Sequence, residues 1–91
     1  MARSVAVMGA GGKMGFRVTK KLADAGYDLR AVEVSEAGRA RLADAGITAQ
    51  PQAQALAGVD VVVLALPEDI IGTVAAAISP DLAPGTMVLI L

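Results

Sequence analysis

The chain has 91 residues, 55% of them hydrophobic, and its only aromatics are Phe16 and Tyr27, so it is at most one globular domain with a core of Val, Leu, Ile and Ala. Lys and Arg number 8 against 9 Asp and Glu; the net charge of −1, with basic residues scattered, gives no electrostatic ground for nucleic acid or an anionic membrane as partner. The lack of Cys and His excludes a disulfide framework, a thiolate site and a zinc site of the usual kind, and it is compatible with a reducing, cytoplasmic setting.

Strand one is predicted over Arg3 to Met8, and its apolar part ends in glycines too soon for a signal peptide. A helix follows from Lys13 to Ala25, with Met14, Val18 and Leu22 on one face and Gly26 as its stop. A second strand, Asp28 to Val34, leads to Ser35, a good N-cap for a helix through Ala45 that Gly46 ends. The phrase Leu-Ala-Asp-Ala-Gly recurs at Leu22 to Gly26 and Leu42 to Gly46, which reads as shared helix-ending chemistry rather than a repeat.

Ile47 to Ala49 reads as a short third strand, and Pro51 to Ala57 as a loop or a single helical turn. Val59 to Leu66 is β-branched and almost continuously apolar, as a central parallel strand with both faces covered should be, and it is far too short to span a membrane. Pro67 ends it; Glu68 and Asp69 suit a helix first turn, with Ile70, Val74 and Ile78 as the buried stripe. Pro80 and Pro84-Gly85 break the chain before a fifth strand, Met87 to Leu91. Alternation of this kind implies an α/β fold of Rossmann type: an open parallel sheet of about five strands, in the expected order 3-2-1-4-5, with helices on both faces.

The most informative stretch is Val5 to Gly15, where an apolar strand meets a helix through a glycine turn. Glycines let the backbone approach a pyrophosphate, and the first N–H groups of the helix face it with the positive end of the dipole. The spacing that fits is Gly9, Gly12, Gly15: Gly9 ends the strand, Gly12 gives access to phosphate, and Gly15 permits tight packing of helix on sheet, while Gly11 adds flexibility. The candidate phosphate-binding residues are therefore Gly9, Ala10, Gly11, Gly12, Lys13 and Met14. A tight turn that binds nothing is the competing reading, and for Lys13 it is a solvated lysine.

Glu33, near the end of strand two, stands where a dinucleotide fold places the acid that accepts hydrogen bonds from the adenosine ribose. A carboxylate there favours NAD over NADP, although Arg39 and Arg41 nearby soften the exclusion if they turn toward the ribose; the alternative is an ordinary acid at a strand end. Ala65, Leu66 and Pro67 fall at the carboxyl end of strand four, beside strand one at the topological switch point, and are candidates for the nicotinamide half of a cleft. A buried strand stopped by proline explains them equally well. Glu68 and Asp69 read as helix-start acids rather than catalytic ones.

Together, Gly9 to Gly15, Glu33, Val61 to Pro67 and Ala83 to Ile90 resemble the N-terminal cofactor domain of the 6-phosphogluconate and β-hydroxyacid dehydrogenases. The turn is one residue longer than the commoner Gly-x-Gly-x-Met-Gly of those enzymes, looking more like dihydrodipicolinate reductase and prephenate dehydrogenase loops. With Leu64-Ala65-Leu66-Pro67 it is most similar to the D-apionate oxidoisomerase group, whose members use NAD on a branched sugar acid.

The resemblance implies that the catalytic lysine and substrate residues of such enzymes lie beyond the fifth strand, so none is carried over here. The expectation is thus a dinucleotide-binding domain over residues 1–91, a piece of a longer NAD-dependent oxidoreductase lacking its C-terminal substrate domain. A homodimer would form through that domain or through an exposed strand edge. A non-enzymatic ligand-sensing module on the same fold is the alternative. A methyltransferase is disfavoured, because Met8 stands where an acid is more usual and adenosylmethionine has no pyrophosphate.

Overall fold

The computed structural model describes residues 3–91. Four parallel strands form one sheet, β1 (Ser4–Met8), β2 (Asp28–Val32), β3 (Val61–Leu64) and β4 (Met87–Ile90), in the order β2-β1-β3-β4. The helices are α1 (Lys13–Asp24), α2 (Glu36–Asp44), the five-residue α3 (Gln52–Leu56) and α4 (Glu68–Ile78), the last followed by a 3-10 turn at Ser79–Asp81.

The strands alternate sides, which builds two cores. Val5, Val7, Ala31 and Val63 join Leu42 of α2 on one face, with Phe16, Val18 and Leu22 of α1 packed against them. Ala6, Met8, Val32, Val62 and Leu64 join Ala55, Leu56 and Ile78 on the other. The register pairs Val7 with Ala31 and with Val63, so β1 is covered on both sides and along both edges. Burying each large apolar side chain, such as Leu42, Leu56 or Leu64, contributes roughly 1.5–3 kcal/mol.

The sheet has four strands, not the five expected. The segment Ile47 to Ala49 lies where the outer strand was anticipated, beside β2, but only one parallel bridge forms, Ala49 to Ala31, with Gln50 N–H donating to Ala31 O at 2.7 Å. On one side of the bridge the chain is still held by α2 at Ile47, whose N–H donates to Leu42 O. On the other side the chain turns at Pro51 into α3, whose first residue, Gln52, is the next whose N–H would face β2. The order of the remaining strands matches the expectation with that outer strand removed.

Two helix faces also differ from those read from periodicity. Gly15 and Thr19 are the buried residues of α1, Val18 and Leu22 are half-buried, and Met14 is 58% exposed, because the helix approaches the sheet too closely for a large side chain at the contact. On α4 the residues packed on the core are Ile71, Val74, Ala75 and Ile78, while Ile70 is 40% exposed at the rim. The edge strand β4 is exposed along its length, and Val61, Val63, Leu89 and Leu91 line an apolar groove of about 310 Å³ beside α1. Among the described residues no helix is long and apolar enough to cross a membrane.

Candidate functional site

The glycine turn sits at the carboxyl end of β1, between β2 and β3. Gly9 has φ +78°, a left-handed conformation that favours glycine, and a Cβ there would also strike the Ala65 carbonyl oxygen and, at 2.9 Å, Leu66 Cδ2. Gly9 and Ala10 both donate their N–H to Val32 O, at 3.0 and 3.1 Å, which ties the turn to the end of β2. Ala10 is buried, and its carbonyl accepts from the Thr19 hydroxyl of α1.

Gly12 is the N-cap of α1, with an extended backbone and no side-chain cap. It is exposed, and a Cβ on it would meet nothing closer than Gly9 O at 3.5 Å. Among the described residues the first-turn N–H groups of Lys13 and Met14 have no acceptor in the chain. This is an open cradle with free donors and no acid in the first turn to compete for them. Gly15 is the reverse case: a Cβ there would collide with the Gly9 carbonyl oxygen and lie 2.9 Å from Gly9 C and 3.2 Å from Ala65 Cβ.

Gly12, Lys13 and Met14 line a cleft of about 280 Å³ together with Ala65, Leu66, Pro67 and Leu91. The structure thereby brings the start of α1 and the end of β3 to one place, at the point where the strand order reverses. Ala65 N–H donates to Met8 O at 3.0 Å and so extends the ladder just past β3. Pro67, as N-cap of α4, then turns the chain away.

Glu33 lies just beyond β2, and its carboxylate bends back onto the turn. Oε1 accepts from Gly11 N–H at 2.8 Å, while Oε2 accepts from Ser35 N–H at 3.0 Å and the Ser35 hydroxyl at 2.9 Å. A carboxylate has about four acceptor positions, so one on Oε1 stays open for an outside donor. Glu33 also lines a second cleft of about 330 Å³ with Arg39, Ala49, Gln50 and Pro51.

Both arginines near the strand end bind backbone carbonyls: Arg39 Nε donates to Glu33 O at 2.9 Å and Arg41 Nη1 to Gly11 O at 2.8 Å, while Arg39 also lines the cleft beside Glu33. Gly11 itself is a close contact rather than a flexible joint. A Cβ on it would run into the backbone of Gly38 on α2. Ser35, Gly38 and Arg41 thus form a side of the site: Arg41 Nη1 reaches the turn, and the contact of Gly38 with Gly11 is the part that periodicity does not show, although Gly38 lies three residues from each of the other two.

Burial alone would raise the Glu33 pKa, but the N–H groups of Ser35, Gly11 and Val34 and the Ser35 hydroxyl outweigh it and hold the carboxyl below its ordinary value. Asp60 is lowered too, first by Ser4 N–H, then by the Ser4 hydroxyl, with Arg3 and Arg30 adding attraction. Both folded values lie below the unfolded ones. Their contribution to stability is therefore complete above the unfolded carboxylate range of about 4 and is lost as pH falls through the lowered folded values. Urea unfolding followed from about pH 6 to pH 3 is expected to show declining stability, with a shallower decline in Glu33→Gln; parallel declines in both proteins would remove Glu33 from this account.

The model of the family described as NADP oxidoreductase coenzyme F420-dependent matches residues 4–90. The chain belongs to this family. It is 51% identical over 88 residues to D-apionate oxidoisomerase from Rhizobium rhizogenes, covering 96% of this chain and 32% of that protein. Against D-apionate oxidoisomerase from Cupriavidus necator it is 50% identical, covering all of this chain and 33% of that one. Among solved structures, a semialdehyde dehydrogenase NAD-binding protein from Cupriavidus necator, in complex with calcium and NAD, superposes with a TM-score of 0.96 at 50% identity, over 100% of this chain and 33% of that one. The chain spans about a third of the length of the curated relatives it matches.

Proposed function

We propose that this chain is the NAD-binding domain of an oxidoreductase acting on a sugar acid, with its catalytic groups supplied by further chain. The observation that carries the reading is the open cradle at Gly12, with free Lys13 and Met14 N–H groups, next to a carboxylate at the end of β2. The fit is physical. Gly12 leaves room for a pyrophosphate, the N–H groups at the start of α1 offer donors to it, and Lys13 adds positive charge. Glu33 would accept a ribose hydroxyl at its remaining Oε1 position and repel a 2′-phosphate, which favours NAD although the family's description names NADP. Ala65, Leu66 and Pro67 would form the wall against the nicotinamide half and keep water from it. When bound, the cofactor supplies hydride transfer, and this chain's part is to hold and orient it.

The substrate class rests on the two D-apionate oxidoisomerases, and a cytoplasmic location fits a chain without cysteine. A homodimer would use the further chain or the exposed β4 edge. Two assays test this function. The 91-residue chain is expected to bind NADH, seen by fluorescence, yet to reduce no NAD with any hydroxy or sugar acid. Exchanged for the matching third of the Cupriavidus necator oxidoisomerase, it is expected to restore turnover of D-apionate. Turnover by the chain alone, or a folded, NAD-binding chimera inert toward D-apionate, would contradict the proposal.

A further inference from the structure

The first turns of α2 meet the glycine turn at Gly11 through backbone and polar contacts. Gly38 and Gly11 approach so closely that a Cβ on Gly11 would overlap the Gly38 carbonyl and Cα. The same Gly38 lies under Glu33: a Cβ on it would sit 2.5 Å from both Cγ and Cδ of Glu33 and 2.8 Å from Ser35 Oγ. Its N–H donates to Ser35 Oγ at 3.0 Å, and that hydroxyl donates in turn to Glu33 Oε2. Glu33 Oε1 then takes the Gly11 N–H, and Arg41 binds the carbonyl of the same residue. Gly11 is held at its N–H, at its carbonyl and at its Cα, all three through residues 33 to 41.

We propose that Gly38 is a specificity-determining positioning residue, whose missing side chain leaves the space in which Glu33 reaches both Gly11 and the ribose, and that Arg41 fixes the phosphate turn for either cofactor. This rests on the function proposed above. The two positions have separable effects. The atoms a Gly38 side chain would meet are Cγ and Cδ of the flexible Glu33 side chain and the Ser35 hydroxyl that caps α2, so Gly38→Ala moves the carboxylate and loosens the cap, and thermal unfolding measures the second effect apart from the first. Discrimination between NAD and NADP then falls while the fold persists. Arg41 Nη1 donates to the carbonyl of Gly11, in the turn that would serve the pyrophosphate common to both cofactors, so its loss weakens both alike.

The test uses the 91-residue chain as wild type, Gly38→Ala, Arg41→Met and Arg41→Lys. Dissociation constants for NAD and NADP are measured alongside thermal unfolding and the amide proton shift of Gly11 by NMR. Gly38→Ala is expected to lower the NAD to NADP affinity ratio about tenfold, the scale of one charge-assisted hydrogen bond, and to move the Gly11 amide upfield. Arg41→Met should weaken both cofactors by a similar factor with the ratio unchanged, and Arg41→Lys should recover most of the loss. Wild type that binds neither nucleotide overturns the proposed function. Wild type that binds NAD, with a Gly38→Ala protein of unaltered ratio and unaltered Gly11 shift, overturns this inference alone. Arg41→Met that changes the ratio, or Arg41→Lys no better than Arg41→Met, overturns the role given to Arg41.

Discussion

Gly15→Val is expected to destabilise the fold severely, whereas Gly12→Val, three residues earlier on the same turn, should fold and fail to bind dinucleotide. At Gly15 the new Cβ meets the Gly9 carbonyl and Ala65, which are strand-end backbone and a neighbouring side chain with nowhere to go. Overpacking of this kind costs about 1–3 kcal/mol, occasionally more, and a domain this small has little in reserve because it buries a smaller share of its surface than a larger one. Each kcal/mol lowers the melting midpoint by roughly 4–8 °C at this size, so the shift is easily seen. At Gly12 the backbone is extended, φ −75° and ψ 174°, a conformation valine adopts without strain, and the site is open. The isopropyl group instead fills the mouth of the cleft formed by Lys13, Met14 and Leu66. Thermal unfolding and calorimetric titration separate the effects: a Gly12→Val protein that binds NAD like wild type would remove Gly12 from the cradle.

Glu33→Gln is expected to narrow or reverse the preference for NAD. The substitution keeps the shape and removes the charge that repels a 2′-phosphate. It also leaves one oxygen and one amide nitrogen where two oxygens accept from Gly11 and Ser35, so one of those donors loses its partner. A hydrogen bond to a charged group contributes about 1.5–3 kcal/mol, which sets the scale of both the lost discrimination and the lost stability. Titration of both cofactors against both proteins measures it. Equal preference before and after substitution would mean that Glu33 serves the turn alone.

Much of the fold was legible in the sequence because glycine and proline punctuate it. Gly26 and Gly46, at φ +87° and +77°, stop α1 and α2 where left-handed residues were anticipated, and Ser35 caps α2 by accepting from Gly38 N–H. The missing outer strand was not legible, since Ile47 and Ala49 look like strand residues and what ends the ladder is the packing of α2 and α3 on either side, with α2 holding Ile47 and α3 starting at Gln52. The glycine turn was located by spacing, and the geometry separates its members: Gly9 for conformation, Gly11 and Gly15 for contact, Gly12 for open space. Spacing does not reveal that Gly11 meets Gly38, because that contact depends on how α2 lies against the turn. Nor does it reveal that Glu33 spends three of its acceptor positions inside the chain.

The most direct measurement of the central claim is calorimetric titration of the wild-type chain with NAD and with NADP under identical buffer and salt. Saturable binding of NAD, tighter than NADP by about tenfold or more, is the result that an open cradle beside the Glu33 carboxylate predicts. No heat with either nucleotide, or NADP bound as tightly as NAD, would contradict it.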